Sequence, residues 1–196
     1  MSRVVAILLA AGESARLGRP KQLLPFRGQT LLRHAARTAL DSGCDEVFVV
    51  LGDSSERMRP ELDGLAVRVV DNTRWASGMS SSIRTGLEAA LLDSLPLEGA
   101  LILLADQPLV TASHLARMLA LFRSSEASIV AAHYEGHPGP PILFSAALFP
   151  QLLRLDGGKG ARTLVASRRA ETLLFELPEA SVDIDVEADV RVLSEA

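Results

Sequence analysis

One cysteine, Cys44, in a chain of 196 residues removes two possibilities at once: no internal disulfide can form, and no cysteine-rich metal cluster can be built. No apolar run approaches the ~18 residues that a membrane span needs. The early run Val4 to Leu9 follows one arginine, as in a leader sequence, but it is too short and leads into the charged stretch Glu13–Lys21. It reads as a first strand. Charge of one sign is also lacking: a formal net charge of −4 gives no reason to expect nucleic acid or an acidic membrane as a partner. A small phosphate-bearing ligand asks only for a local group of cations, so it stays open. Repeats, low-complexity segments and linkers are absent, and one domain spanning 1–196 is expected. Together these absences point to a reducing, cytoplasmic setting.

Hydrophobic residues at 48% and charged residues at 22% fit a packed core. Val4–Leu9 is continuous in apolar character, as expected of a strand covered on both faces, and Val47–Leu51, Val67–Val70 and Ala100–Ala105 repeat it. Between them Leu31, Leu32, Ala35, Ala36, Ala39 and Leu40 form a helical face, with Thr30 as N-cap and Gly43 as the stop. Ile83, Leu87, Ala90 and Leu91 form another. Alternating strand and helix predict an α/β fold with a mostly parallel central sheet and helices on both faces. After Asp106 the pattern loosens. A helix near Ser113–Phe122 and a strand at Ser128–Ala132 precede the Pro/Gly-rich run Gly136–Pro141 and the apolar Ile142–Phe144. Glu171–Leu177 reads as a strand and Val182–Val186 as a short one.

The segment Leu8-Leu9-Ala10-Ala11-Gly12-Glu13-Ser14-Ala15-Arg16-Leu17-Gly18-Arg19-Pro20-Lys21 carries the most chemistry. Small residues after a buried strand let backbone N–H groups approach phosphate oxygens, and Arg16 and Lys21 can add charge-assisted hydrogen bonds. The lysine–serine pair of a P-loop is missing, as is the G-x-G-x-x-G spacing of a dinucleotide site. A plain strand turn with solvated arginines explains the composition equally well. Asp106, in Ala105-Asp106-Gln107-Pro108, ends an apolar strand, where a carboxylate faces the crevice of an open α/β sheet. It can hold a metal there or merely cap a turn.

Ala10-Ala11-Gly12-x-Ser14-x-Arg16-Leu17-Gly18-x-x-Lys21 followed by Leu24-Pro25-Phe26 resembles the signature loop of the nucleotidyltransferases that complete molybdenum cofactor, and most closely the cytidylyltransferase branch. Its Leu-Ala-Ala-Gly form is similar to the branch that uses CTP, whereas the guanylyl branch usually shows Leu-Ala-Gly-Gly. Asp106-Gln107-Pro108, the Gly78-Met79-x-x-Ser82 segment and Val182-Asp183-Ile184-Asp185 resemble further family segments, so the resemblance runs from Val4 to Asp189. It implies a Rossmann-like nucleotidyltransferase fold. It further implies Arg16, Lys21 and Asp106 as catalytic residues. Leu9, Ala10, Ala11, Gly12, Ser14, Arg16, Lys21, Gly78, Ser81, Ser82 and Asp106 would contact the nucleotide, and Asp106 and Asp185 would hold Mg2+. Ser80–Ser82 can equally cap a helix. Asp183 competes with Asp185, and a solvated acidic strand is the plain alternative for both. His137 is similar to part of a Gly-His-Pro loop on the pterin side, and His34 reads as packing or surface. Two departures stand out: Gly158 replaces an acidic residue expected before Ala161-Arg162, and Val186 stands where threonine is common.

The expected reaction is transfer of CMP from a nucleoside triphosphate, CTP, to a phosphorylated pterin cofactor, with a molybdoenzyme as recipient of the product. Three rivals remain at this point: GTP as donor or another phosphorylated acceptor, an NAD(P)-dependent reductase, and a non-catalytic cofactor carrier. The reductase reading lacks an acidic residue at the usual distance, Asp53 being the nearest offer. A carrier has no need of Asp106 and Asp185.

Overall fold

The computed structural model describes residues 3–93, 95–157, 160–191 and 193. Nine strands and six α-helices follow one another as β1 (Arg3–Ala10), β2 (Pro25–Phe26), β3 (Gln29–Thr30), α1 (Leu31–Leu40), β4 (Glu46–Leu51), α2 (Ser55–Met58), β5 (Arg68–Asp71), α3 (Met79–Leu91), β6 (Leu97–Leu104), α4 (Ala112–Arg123), β7 (Ile129–Tyr134), β8 (His137–Ser145), α5 (Phe149–Leu152), α6 (Arg162–Ser167) and β9 (Thr172–Glu176) among the described residues. The main sheet has the order β5-β4-β1-β6-β8-β7-β9, and β2 and β3 pair as a short separate ribbon. Every neighbouring pair in the main sheet is parallel except the two made by β8, which runs against β6 and β7.

The alternation of side chains along β1 divides the core. Val4, Ala6, Leu8 and Ala10 pack with Leu32, Ala36 and Ala39 of α1 and Leu115, Met118 and Phe122 of α4. Val5, Ile7 and Leu9 pack on the other face with Ile83, Leu87 and Ala90 of α3 and Phe149 and Leu152 of α5. Fully burying a residue such as Ile7 or Leu87 contributes roughly 1.5–3 kcal/mol. Gly86 lets α3 lie directly on Ile7 and Val50, where a Cβ would collide with both. Helices therefore cover both faces, and the expected α/β architecture is present.

Local signals placed the first helix well. Thr30 Oγ1 accepts from the Arg33 N–H at 3.3 Å, and Gly43 takes a left-handed φ of +86° in the turn after Asp41 ends α1. In α4, Thr111 and His114 cap each other through their side chains and backbone N–H groups. Two readings need correction. The run from His137 to Pro141 is the outer half of β8 and not a loop; only Glu135 and Gly136, both at positive φ, make the hairpin turn. Its prolines are tolerated because β6 pairs with β8 only from Ile142 to Ser145. Val182–Val186 is not a strand: it is extended chain without a ladder, anchored by the Ile184 N–H donating to Asp106 O at 3.2 Å. No helix among the described residues is long and apolar enough to cross a membrane.

Candidate active site

β1 and β6 lie side by side in parallel, so the turn after Ala10 and the residue after Ala105 emerge at the same end of the sheet. The Ala105 N–H donates to Leu9 O at 3.2 Å and fixes that junction. Between them opens a cavity of about 490 Å³ lined by Leu9, Ala11, Gly12, Glu13, Lys21, Gln22, Trp75, Ala76, Gly78, Met79, Ser82, Leu104, Ala105 and Asp106. Ala10 and Ser14 stand behind this wall. Ser14 sits at φ +57° and its Oγ accepts from the Lys21 N–H at 3.1 Å.

Four charged groups meet at the cavity rim. Lys21 Nζ lies 2.5 Å from Asp106 Oδ2 and 2.7 Å from Asp185 Oδ1, and Arg16 Nη2 lies 2.5 Å from Asp185 Oδ2. Burial works against the charge on Lys21, but Asp106 and Asp185 more than offset it and hold its pKa above the usual lysine value. The hydrogen bond from Lys21, aided by Arg16 and opposed by burial, holds Asp185 below the usual carboxylate range. Asp183 behaves oppositely: burial, then the negative charges of Asp106 and Asp185, push it up. Ile184 is fully buried between the two, so the extended chain keeps them on the opposite side from its apolar residue.

On the opposite wall, Gly78 is the N-cap of α3 at φ +99°, and no serine side chain caps that helix. Ser82 reaches the cavity. Ser81 does not: it is fully buried, donates to Gly78 O at 2.7 Å and accepts from Asn72 Nδ2 at 2.8 Å, so its hydroxyl is engaged within the protein. Asn72 also donates to Ser82 Oγ at 3.0 Å.

A second cavity, of about 580 Å³, adjoins the first. Met79 and Leu104 line both. Its other walls include Ile83, Ile102, Gln107, Tyr134, His137, Pro140, Ile142, Arg162, Ser181 and Asp183. Gln107 is held by donating from Nε2 to Pro140 O at 3.0 Å and Ala180 O at 2.7 Å. His137 lines this second cavity from a strand and not from a loop. His34 instead ties α1 to the chain after Asp106, its Nε2 standing 3.2 Å from Pro108 O, and burial lowers its pKa. Gly158, the departure noted in the sequence, lies outside the described residues.

Three buried amides escaped the sequence reading: Gln22, Asn72 and Gln107 are 2%, 2% and 6% exposed. The available signal was position. Each directly follows a charged residue at a strand end or motif end, where a long polar side chain has backbone to satisfy.

The model of the MobA-like NTP transferase domain matches residues 6–172. The chain is 35% identical over 191 residues to nicotine blue oxidoreductase of Paenarthrobacter nicotinovorans, covering 94% of this chain and 92% of that protein. It is 33% identical over 173 residues to purine catabolism protein PucB of Bacillus subtilis, covering 84% and 81%. It is 24% identical over 190 residues to molybdenum cofactor cytidylyltransferase of Escherichia coli, covering 96% and 94%. Rv0371c of Mycobacterium tuberculosis superposes with a TM-score of 0.84 at 31% identity, covering 100% of this chain and 99% of that one. The same protein in complex with manganese gives 0.77 at 32% identity, with the same coverage. The matched stretch runs from inside β1 to the first residue of β9 and takes in the turn after β1, α3 and Asp106; this chain belongs to the MobA-like NTP transferase domain family and is a nucleotidyltransferase.

Proposed function

We propose that this enzyme transfers CMP from CTP to the terminal phosphate of a molybdopterin-type cofactor and releases pyrophosphate. One observation carries the reading: Asp106 ends the wall of the first cavity, and Gln107, the next residue, begins the wall of the second. A donor in one and an acceptor in the other would meet at this carboxylate. The triphosphate lies along the turn after β1, where Arg16 and Lys21 offset its charge. The base and ribose lie toward Gly78 and Ser82. An oxygen of the acceptor's phosphate forms a bond to the α-phosphorus as the bond to the bridging oxygen breaks, and that electron pair leaves with pyrophosphate. The attacking phosphate is already ionised at neutral pH, so no general base is needed. Positioning and charge neutralisation supply the rate.

The residues fit a divalent cation. Asp106 Oδ1 is buried without a hydrogen-bond partner, and Asp185 shares Lys21 with Asp106. No group of three or more His, Cys, Asp or Glu suited to a metal gathers among the described residues. Two carboxylates completed by phosphate oxygens are the usual seat of Mg2+. Asp106 and Asp185 would hold the cation, which would supply neutralisation of the charge that develops during the transfer. Asp185 is assigned ahead of Asp183 because Asp183 lines the acceptor cavity instead. The structure of Rv0371c with manganese supports a divalent ion. On this reading the chain acts as one domain in the cytoplasm and passes its product to a molybdoenzyme.

The test is pyrophosphate release from pure protein given Mg2+, the pterin acceptor and each of CTP, GTP, ATP and UTP. CTP should dominate. Equal or greater release from GTP overturns the donor, and release from none overturns the reaction. The 35% identity to a protein named nicotine blue oxidoreductase favours a second reading, reduction of a heterocyclic substrate by a nicotinamide cofactor. Loss of reduced-nicotinamide absorbance on adding nicotine blue, with no pyrophosphate from any triphosphate, would establish it instead.

A further inference from the structure

Gln22 is a polar side chain only 2% exposed, and all of its hydrogen-bonding capacity is directed at the turn after β1. Its Nε2 donates to Ala10 O at 3.2 Å and to Gly12 O at 3.1 Å. Its Oε1 accepts from Ser14 Oγ at 3.3 Å, and that hydroxyl accepts in turn from the Lys21 N–H at 3.1 Å. The amide can be placed in only one sense, because two carbonyl oxygens require the nitrogen and not the oxygen. The circuit begins at the end of the strand and returns to the residue beside Gln22.

The consequence lies in the peptide planes. The carbonyl of Ala10 shares a plane with the N–H of Ala11, and the carbonyl of Gly12 with the N–H of Glu13. Both bonds are trans, since Pro140–Pro141 is the cis bond found among the described residues. In a trans peptide the C=O and N–H point in opposite directions. Holding both carbonyls on the Gln22 side therefore turns both N–H groups away from it. Ala11, Gly12 and Glu13 all line the first cavity. Successive N–H groups turned one way make an anion seat, whereas either carbonyl turned outward would repel a phosphate oxygen. Ser14 at φ +57°, a conformation that side chains resist, is held in place by the same circuit.

We propose that Gln22 is a positioning residue that aims the Ala11 and Glu13 N–H groups at the polyphosphate of the donor nucleotide. The proposal rests on the first cavity being the donor's seat, but not on which base or acceptor is used. Gln22→Met keeps the length and the packing and removes both donors. Gln22→Glu is harsher, since it sets oxygen against two carbonyls.

The probe is inorganic tripolyphosphate, which carries the phosphates without a base, followed by amide-resolved NMR of the 15N-labelled full chain. In the wild type the Ala11 and Glu13 amide signals should move on titration. In Gln22→Met the affinity for tripolyphosphate should fall by roughly tenfold, the scale of two mis-aimed donors to an anion. Should that variant not fold, Ser14→Ala, which removes only the hydroxyl facing Oε1, should weaken binding about two- to threefold by the same route. In turnover, KM for the nucleotide should rise while KM for the acceptor stays put, a split that a general loss of stability would not give. Tripolyphosphate binding as tight in Gln22→Met as in the wild type overturns the proposal, as do unmoved Ala11 and Glu13 signals in a wild type that binds. Responsive amides in a protein that turns over no triphosphate uphold the role of Gln22 and overturn the transfer reaction alone.

Discussion

The two cavities share Met79 and Leu104 yet are built by different means. The first sits at the aligned ends of the parallel strands β1, β4 and β6, and two buried amides, Gln22 and Asn72, brace its walls. The second leans on the antiparallel β8 and on chain beyond β9 that has no ladder. That chain is held by scattered contacts: hydrogen bonds from the Leu177 N–H to His133 O, the Ile184 N–H to Asp106 O and Gln107 Nε2 to Ala180 O, and the ion pairs of Asp185 with Lys21 and Arg16. On the proposed function the first cavity would seat the triphosphate, which is much the same in every donor and gains from rigidity, and the second would seat the acceptor on segments that tolerate change.

The largest effect tests the boundary itself. Asp106→Asn should lower turnover by roughly a thousandfold while the Kd for CTP stays within about threefold, as measured by pyrophosphate release and equilibrium binding. A Kd that rises as far as turnover drops would make Asp106 part of the first cavity alone. Next comes Gly52→Ala: a Cβ there would stand 2.7 Å from Ala11 Cβ, Ala11 O and Trp75 Cβ. Overpacking of this kind costs typically about 1–3 kcal/mol, read as a fall in Tm of about 2–4 °C per kcal/mol. KM for CTP should rise and KM for the acceptor should not. Asp183→Asn should do the reverse, raising the acceptor's KM a few-fold and sparing CTP; an equal effect on both would erase the division between the cavities. The smallest effect is a reference outside both. Burial pushes the Cys44 thiol up to about 11, so at pH 8 little thiolate is present. Its reaction with a disulfide reagent should be slow, gain about tenfold per pH unit below that value, and ignore CTP.

The same division governs what could be read from residues alone. β1 from Val4, β4 from Val47 and β6 from Ala100 run on in buried apolar residues because both faces are covered, and α1 carries its own cap, so the parallel half announced itself. Arg16, Lys21 and Asp106 could be placed together once β1 and the strand before Asp106 were taken as neighbours. The other half hid for physical reasons. Prolines in β8 imitate a loop, because a strand unpaired on one side does not need the N–H groups on that side. Val182–Asp185 alternates like a strand, but only Ile184 has a core to enter. Gln22 gave no periodic signal, since its partners are backbone atoms that every sequence has.

The prolines of β8 also explain why there is a second opening at all. Pro138, Pro140 and Pro141 have no N–H to give to a neighbouring strand, and the ladder between β8 and β6 stops at Ile142. The sheet parts there like the top of an unzipped seam, and Ile102, Leu104, Pro140 and Ile142 become the sides of the fork. A residue able to donate in that stretch would invite the strands to close, and the space beside Asp106 would be filled by the protein's own backbone.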